Sequence, residues 1–304
     1  MGQGTAAEIG VRDSELTLEG AVDSYVYSPG KSLVGLTRPF LAQGKKTGAQ
    51  YVLKHNTHWE QGVNSEKKAY QRIMDAGGHY AIPKIVEIFE SDTISYLVLP
   101  YIPGQDLDGV FSNLGQLSPL ELYSIVNPLC SALDFVHHQK ILHRDVKPEN
   151  VRVCAGQDGP VSREQVTQGA LQAYLFDFNI SVVADSLPVD TSKEPGGTST
   201  YLSPEFWRDG IVDQRHDLYA LAVLTFKGLT RRSPFSAPLA VSNDITQMIM
   251  LREKHLCEPI PCAREFCESL PASADTFFKK ALAKDPEERF QTAKEFNDGF
   301  QELL

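Results

Sequence analysis

His143-Arg144-Asp145-Val146-Lys147-Pro148-Glu149-Asn150 sets a carboxylate, an ammonium group and a side-chain amide at fixed offsets in one short stretch. Asp145 can accept the proton of an attacking hydroxyl. Lys147 can reach a phosphoryl group in transit, and Asn150 can offer its amide oxygen to a magnesium ion. Phosphoryl transfer requires those groups together.

Working outward, Ser118-Pro119 reads as a helix cap followed by proline at the first helical position. Leu122, Ile125, Val126, Leu129, Leu133 and Val136 then recur at helical spacing up to His138, which delivers the chain to the quoted stretch. At the other end, residues 1–20 are small and polar and read as an N-terminal extension. Ser24-Tyr25-Val26-Tyr27, residues 36–43 and Gln50-Tyr51-Val52-Leu53-Lys54 read as strands, with a turn at Gly44-Lys45-Lys46-Thr47-Gly48, so they predict an antiparallel meander. Between the first two lies Gly30-Lys31-Ser32-Leu33-Val34-Gly35, whose glycines would let backbone amides lie close over phosphates. The run Asn64-Ser65-Glu66-Lys67-Lys68-Ala69-Tyr70-Gln71-Arg72-Ile73 is helix-like, with a cap at Asn64 or Ser65. Residues 155–171 read as an inserted surface loop.

The chain has 304 residues, 42% of them hydrophobic and 22% charged, enough for one large two-lobed domain or two small ones. A formal charge of −10 argues against nucleic acid or an anionic membrane as the main partner, because both reward clustered Lys and Arg. No apolar run approaches the ~20 residues that span a bilayer. Five cysteines, an odd number, suggest reduced thiols in a cytosol. Cys257, Cys262 and Cys267 near His255 match neither a zinc knuckle nor a helical face.

The 143–150 stretch resembles the catalytic loop of eukaryote-type protein kinases, and Lys147 marks its Ser/Thr form. Val52-Leu53-Lys54 looks like the strand that contacts nucleotide phosphates through its lysine, with Glu66 as the lysine's expected helix partner and Glu60 as its competitor. The 30–35 loop is similar to the glycine-rich phosphate loop, contributing Gly30 and Gly35 with Ser32 at the middle glycine. Tyr96-Leu97-Val98-Leu99-Pro100-Tyr101-Ile102 resembles the last small-lobe strand and hinge. There the resemblance implies Leu99 as gatekeeper, the Pro100 carbonyl and the Ile102 amide and carbonyl as adenine contacts, and Asp106 near the ribose. Asp177-Phe178-Asn179 resembles the DFG motif with asparagine for glycine; asparagine tolerates left-handed angles better than other non-glycine residues, so the change reads as mild. Arg152 stands where kinases place an apolar residue under adenine, its stem able to pack while its guanidinium reaches water.

Gly197-Thr198-Ser199-Thr200-Tyr201-Leu202-Ser203-Pro204-Glu205 looks like the end of a Ser/Thr-kinase activation segment, with Thr198 near Asp145. Asp217 resembles the buried acid that accepts catalytic-loop amides, and Arg289 the partner of Glu205 in a buried ion pair. Arg144 before the catalytic aspartate implies ordering by a phosphate on Thr191 or Ser192, with Glu194 as a permanent-carboxylate alternative. From Tyr201 onward the chain is most similar to bacterial eukaryote-like Ser/Thr kinases.

The resemblance implies an α+β, two-lobed protein-kinase-like fold. A small antiparallel β lobe with one helix (21–101) and a large, mainly helical lobe (102–304) would follow the extension. It implies a Ser/Thr protein kinase that moves the γ-phosphate of ATP to protein hydroxyls, including its own activation segment. Asp145 and Lys147 would be catalytic, Asn150 and Asp177 would hold the metal, and Gly30, Ser32, Gly35, Val52, Lys54, Glu66, Leu99, Pro100, Ile102 and Asp106 would hold the nucleotide. The cofactors implied are ATP and Mg2+, with Mn2+ as a substitute. Protein substrates are the expected partners, without nucleic acid or a membrane segment in this chain, and the expected location is cytoplasmic. A pseudokinase scaffold is the alternative, favoured by Ser32, Arg152 and Asn179. A small-molecule kinase is disfavoured by Ser203-Pro204-Glu205 and Asp217.

Overall fold

Strand alternation builds the first unit of the chain. In a computed structural model that describes residues 16–32, 39–57, 61–91, 94–156, 158–192, 196–236 and 244–304, β1 (Leu16–Glu19), β2 (Ser24–Ser32), β3 (Phe40–Gly44), β4 (Gln50–Thr57), β5 (Glu87–Ser91) and β6 (Ile94–Pro100) form one antiparallel sheet. Its order is β1-β2-β3-β4-β6-β5. Every second residue faces one core: Tyr25, Phe40 and Ala42, Tyr51 and Leu53, and Val98, with Leu18 and Phe89 packed against them. The Tyr25 ring meets Tyr51 edge-on at 5.2 Å. The buried Asp23 accepts from the amides of Lys46 and Thr47, which fixes the turn between β3 and β4.

This corrects the expected extension. Leu16–Glu19 pairs along its whole length with β2, and Leu18 joins the core. Four residues are too short a run for alternation alone to disclose a strand. Residues 1–15 lie outside the described residues, as do 33–38, which hold the expected start of the 36–43 strand.

The second unit comprises residues 62–83 and 102–304. Its elements are α1 (Gln61–Asp75), β7 (Gln105–Asp106), α2 (Leu107–Leu114), α3 (Pro119–His138), β8 (Ile141–Leu142), β9 (Val151–Cys154), α4 (Arg163–Thr167), β10 (Gln172–Leu175), β11 (Val182–Val183), β12 (Val189–Asp190), α5 (Pro204–Asp209), β13 (Ile211–Val212), α6 (Gln214–Thr230), α7 (Asp244–Cys257), α8 (Ser273–Ala281) and α9 (Ala293–Gln301). The cap expected at Ser118 is a full capping box with Glu121. Helix α6 is buried on all sides and is the core on which α3 and α8 pack. No helix among the described residues is long and apolar enough to cross a membrane.

Two boundaries differ from the sequence reading. Helix α1, expected in the small lobe, clusters with the helical unit. Arg72 donates to the carbonyls of Gln139 and Ala184, Tyr70 packs on Phe178, and the Ala81 carbonyl accepts from Leu175. The 155–171 insertion is no plain loop: it contains α4, whose Ser162 and Gln165 form a second capping box. From α4, Arg163 reaches both Glu121 oxygens at 2.8 and 2.9 Å and the carbonyls of Leu114 and Gln116.

Candidate active site

The 143–150 stretch follows β8 and is held from beneath by α6. Arg144 sits at φ 67°, an angle that side chains rarely adopt unless the surroundings hold it. The fully buried Asp217 supplies that hold, accepting the amides of His143 at 2.9 Å and Arg144 at 2.8 Å and the His137 Nε2 proton at 2.8 Å. Burial would push its carboxyl up, but the His137 hydrogen bond and the neighbouring histidines hold it well below the usual range. His143 Nε2 lies 2.8 Å from the Phe176 carbonyl, so it carries the proton and leaves Nδ1 to accept from the Asp145 amide.

On this base the reactive groups converge. The Asp145 Oδ2 lies 2.7 Å from Lys147 Nζ and 2.9 Å from Asn150 Nδ2, and Oδ1 accepts from the Thr198 hydroxyl at 3.1 Å. Lys147 also donates to the Thr198 hydroxyl at 2.8 Å. These groups form one closed network, with Asp145 only partly buried and so open to a substrate hydroxyl.

With Nδ2 of Asn150 committed to Asp145, its amide oxygen remains as the acceptor. The Phe176 amide donates to the Asn150 carbonyl at 2.9 Å, which brings the next residue, Asp177, beside it. Two hard oxygen donors of this kind fit a divalent ion that takes its remaining ligands from phosphate and water. Among the described residues no three His, Cys, Asp or Glu side chains form a metal cage, and an ion of that habit does not need one.

The first unit carries its own set on one strand face. Tyr51 and Leu53 point into the core, so Val52 and Lys54 lie on the opposite face of β4. The register sets Val52 opposite Leu99 and Lys54 opposite Leu97, while Pro100 ends β6. Ser32 closes β2 opposite Phe40, and Gly30 lies within the register shift that precedes it. Gly35 and Glu60 lie outside the described residues. Glu66 is buried on α1, in the helical unit.

The protein kinase domain family matches residues 38–300. The chain belongs to that family. It is similar to the serine/threonine-protein kinase PrkC of Bacillus subtilis, 32% identical over 75% of this chain and 32% of PrkC. It is also similar to PknB of Mycobacterium tuberculosis, 34% identical over 71% of this chain and 32% of that protein, and to pkn2 of Myxococcus xanthus, 30% identical over 84% and 29%. The chain thus spans about a third of the length of the curated relatives it matches.

Against the family pattern, four readings change. Arg152 does not simply run to water: its Nε donates to the Ile102 carbonyl at 3.0 Å, the atom assigned to adenine. Asp106 caps α2, its Oδ1 accepting from the Gly109 amide at 2.7 Å, a structural role beside any ribose contact. Asn179 is not left-handed; the positive φ of this kinase motif falls on Asp177, at 67°. Thr191 is buried, its hydroxyl donating to the Gly210 carbonyl at 2.8 Å, whereas Ser192 is exposed. A kinase acting on its own activation segment meets Ser192 and not Thr191 in this conformation. Glu194 lies outside the described residues.

Further support comes from Glu205 and Arg289, joined by two hydrogen bonds of 2.9 and 2.7 Å in a buried pair. Burial pushes the Glu205 carboxyl up, and the Arg289 hydrogen bonds and charge pull it below its ordinary value. His137 carries no motif signal in the sequence. Its place in the last turn of α3, just before the catalytic loop, is the one local cue to its role.

Proposed function

We propose that this chain is a Ser/Thr protein kinase that transfers the γ-phosphate of ATP to protein hydroxyls with magnesium. The observation that carries the reading is the closed network of Asp145, Lys147, Asn150 and Thr198. Asp145 orients the incoming hydroxyl and takes its proton; Lys147 offsets charge on the group in transit. Thr198 joins the two, so that the carboxylate and the ammonium stay in register. Asn150 and Asp177 are the residues that would hold the divalent ion, which when bound would neutralise charge on the phosphates. Manganese satisfies the same oxygen donors. Lys54 and Glu66 keep the phosphate-anchoring role that the family gives them. Most of the rate gain would come from positioning and electrostatics.

Ser32, Arg152 and Asn179 depart from the family pattern, yet none of them replaces a carboxylate, lysine or amide of that network, which supports catalysis over a scaffold. The peptide platform from Thr198 to Glu205 supports protein over small-molecule substrates. Five free cysteines support a reducing, cytoplasmic setting. Incubation with labelled ATP, magnesium and a generic basic protein, beside a metabolite panel, tests the reading. Label is expected on protein serine and threonine; label on metabolites alone would overturn it.

A further inference from the structure

Tyr70 stands one helical turn after Glu66 on α1. Its side chain is fully buried, and its phenolic oxygen, sealed from solvent, has no hydrogen-bond partner among the described residues. Buried hydroxyls without partners are destabilising, and phenylalanine would pack the same space without that penalty. The ring itself is well used. It meets Phe178 edge-on at 5.2 Å, and Phe178 meets His143 at 4.8 Å, so one aromatic column joins α1 to the catalytic loop. That packing needs no hydroxyl.

The surroundings show what the hydroxyl is placed for. Burial first, then the charges of Glu66 and Asp177, keep the phenol protonated well above its ordinary range. The group is therefore a donor, one helical turn from Glu66 and with its ring against Phe178, the chain neighbour of Asp177. Glu66 lies one turn away on the same helix, yet the phenol makes no bond to it. The other carboxylate, Asp177, sits at φ 67° beside Phe178, in a conformation that its surroundings must hold.

We propose that Tyr70 is a positioning residue whose hydroxyl donates to Asp177 when Asp177 engages metal-bound nucleotide, securing one carboxylate oxygen and aiming the other at the ion. The inference rests on the kinase reading above and assigns a role to α1 beyond Glu66. The bond would tie ordering of α1 to ordering of the metal site.

The test is Tyr70→Phe, measured by thermal unfolding without nucleotide and by binding of ATP with magnesium and with excess EDTA. The nucleotide-free variant is expected to melt at or above the wild-type temperature. Its affinity for ATP with magnesium should fall about fivefold, the worth of one ordinary hydrogen bond, while metal-free affinity stays unchanged. Equal magnesium-dependent affinity in the two proteins would overturn the inference, and so would an equal loss with and without metal. Wild-type protein whose ATP binding is not improved by magnesium would overturn the kinase reading along with it; a normal wild-type response with an unaffected variant would overturn this inference alone.

Discussion

Asp217 accepts the Arg144 amide at 2.8 Å, and Arg144 is the residue held at φ 67° one position before Asp145. The backbone turn that precedes the Asp145 carboxylate is thus fixed by a fully buried side chain. Asp217→Asn keeps the size and one acceptor oxygen but loses the charge that holds two amides and His137. We expect a loss of about 3 kcal/mol or more in stability, as for a buried charged group deprived of its partner, with a fall in transfer rate. Denaturant unfolding and initial rates check both.

The Glu205–Arg289 pair carries a pH signature. The folded carboxyl lies below its ordinary 4.5, so its contribution is complete above that value and is lost as pH falls through the lower, folded one. Unfolding followed from neutral pH down through the carboxylate range should therefore show a flatter acid limb in Glu205→Gln than in wild type, on top of a general loss of roughly 3–5 kcal/mol. Parallel acid limbs would count against a lowered Glu205.

Phosphosite mapping after incubation with magnesium and ATP should find Ser192, which is exposed, in preference to Thr191, which is tied to the Gly210 carbonyl. Ser192→Ala should lengthen the lag of phosphatase-treated enzyme or remove its acceleration. Thr191→Val should lower stability by about 1 kcal/mol through the lost hydrogen bond, without changing the lag. Modification confined to Thr191 would contradict this order.

Asn179 does not need the freedom of glycine, because the left-handed angle falls two residues earlier. Asn179→Gly should leave transfer within a few-fold of wild type and cost about 0.5–1 kcal/mol of stability from added backbone entropy. A complete loss of activity would mean that the Asn179 side chain acts directly.

The sequence disclosed whatever rests on local order. Helix α3 was legible because Ser118-Pro119 and the apolar spacing are local signals, and the α+β class followed from the family resemblance of the motifs. That Asp145, Lys147 and Asn150 lie together was legible from residue types at fixed offsets. What stayed hidden depends on partners distant in the chain. The short strand β1 exists only through its pairing with β2. Helix α4 is anchored by Arg163 across 42 residues to Glu121. The Arg152–Ile102 bond spans 50 residues, and burial of Thr191 depends on Gly210. Neither periodicity nor propensity reports such contacts.

As proposed, Asp145 acts on the attacking hydroxyl and not on the nucleotide. Transfer rate and ATP affinity measured side by side for wild type and Asp145→Asn test it most directly. The expected result is a loss of roughly 10²–10⁴-fold in rate with ATP affinity and unfolding temperature nearly unchanged. An Asp145→Asn protein that still transfers phosphate at the wild-type rate, or one that folds normally but no longer binds ATP, would contradict it.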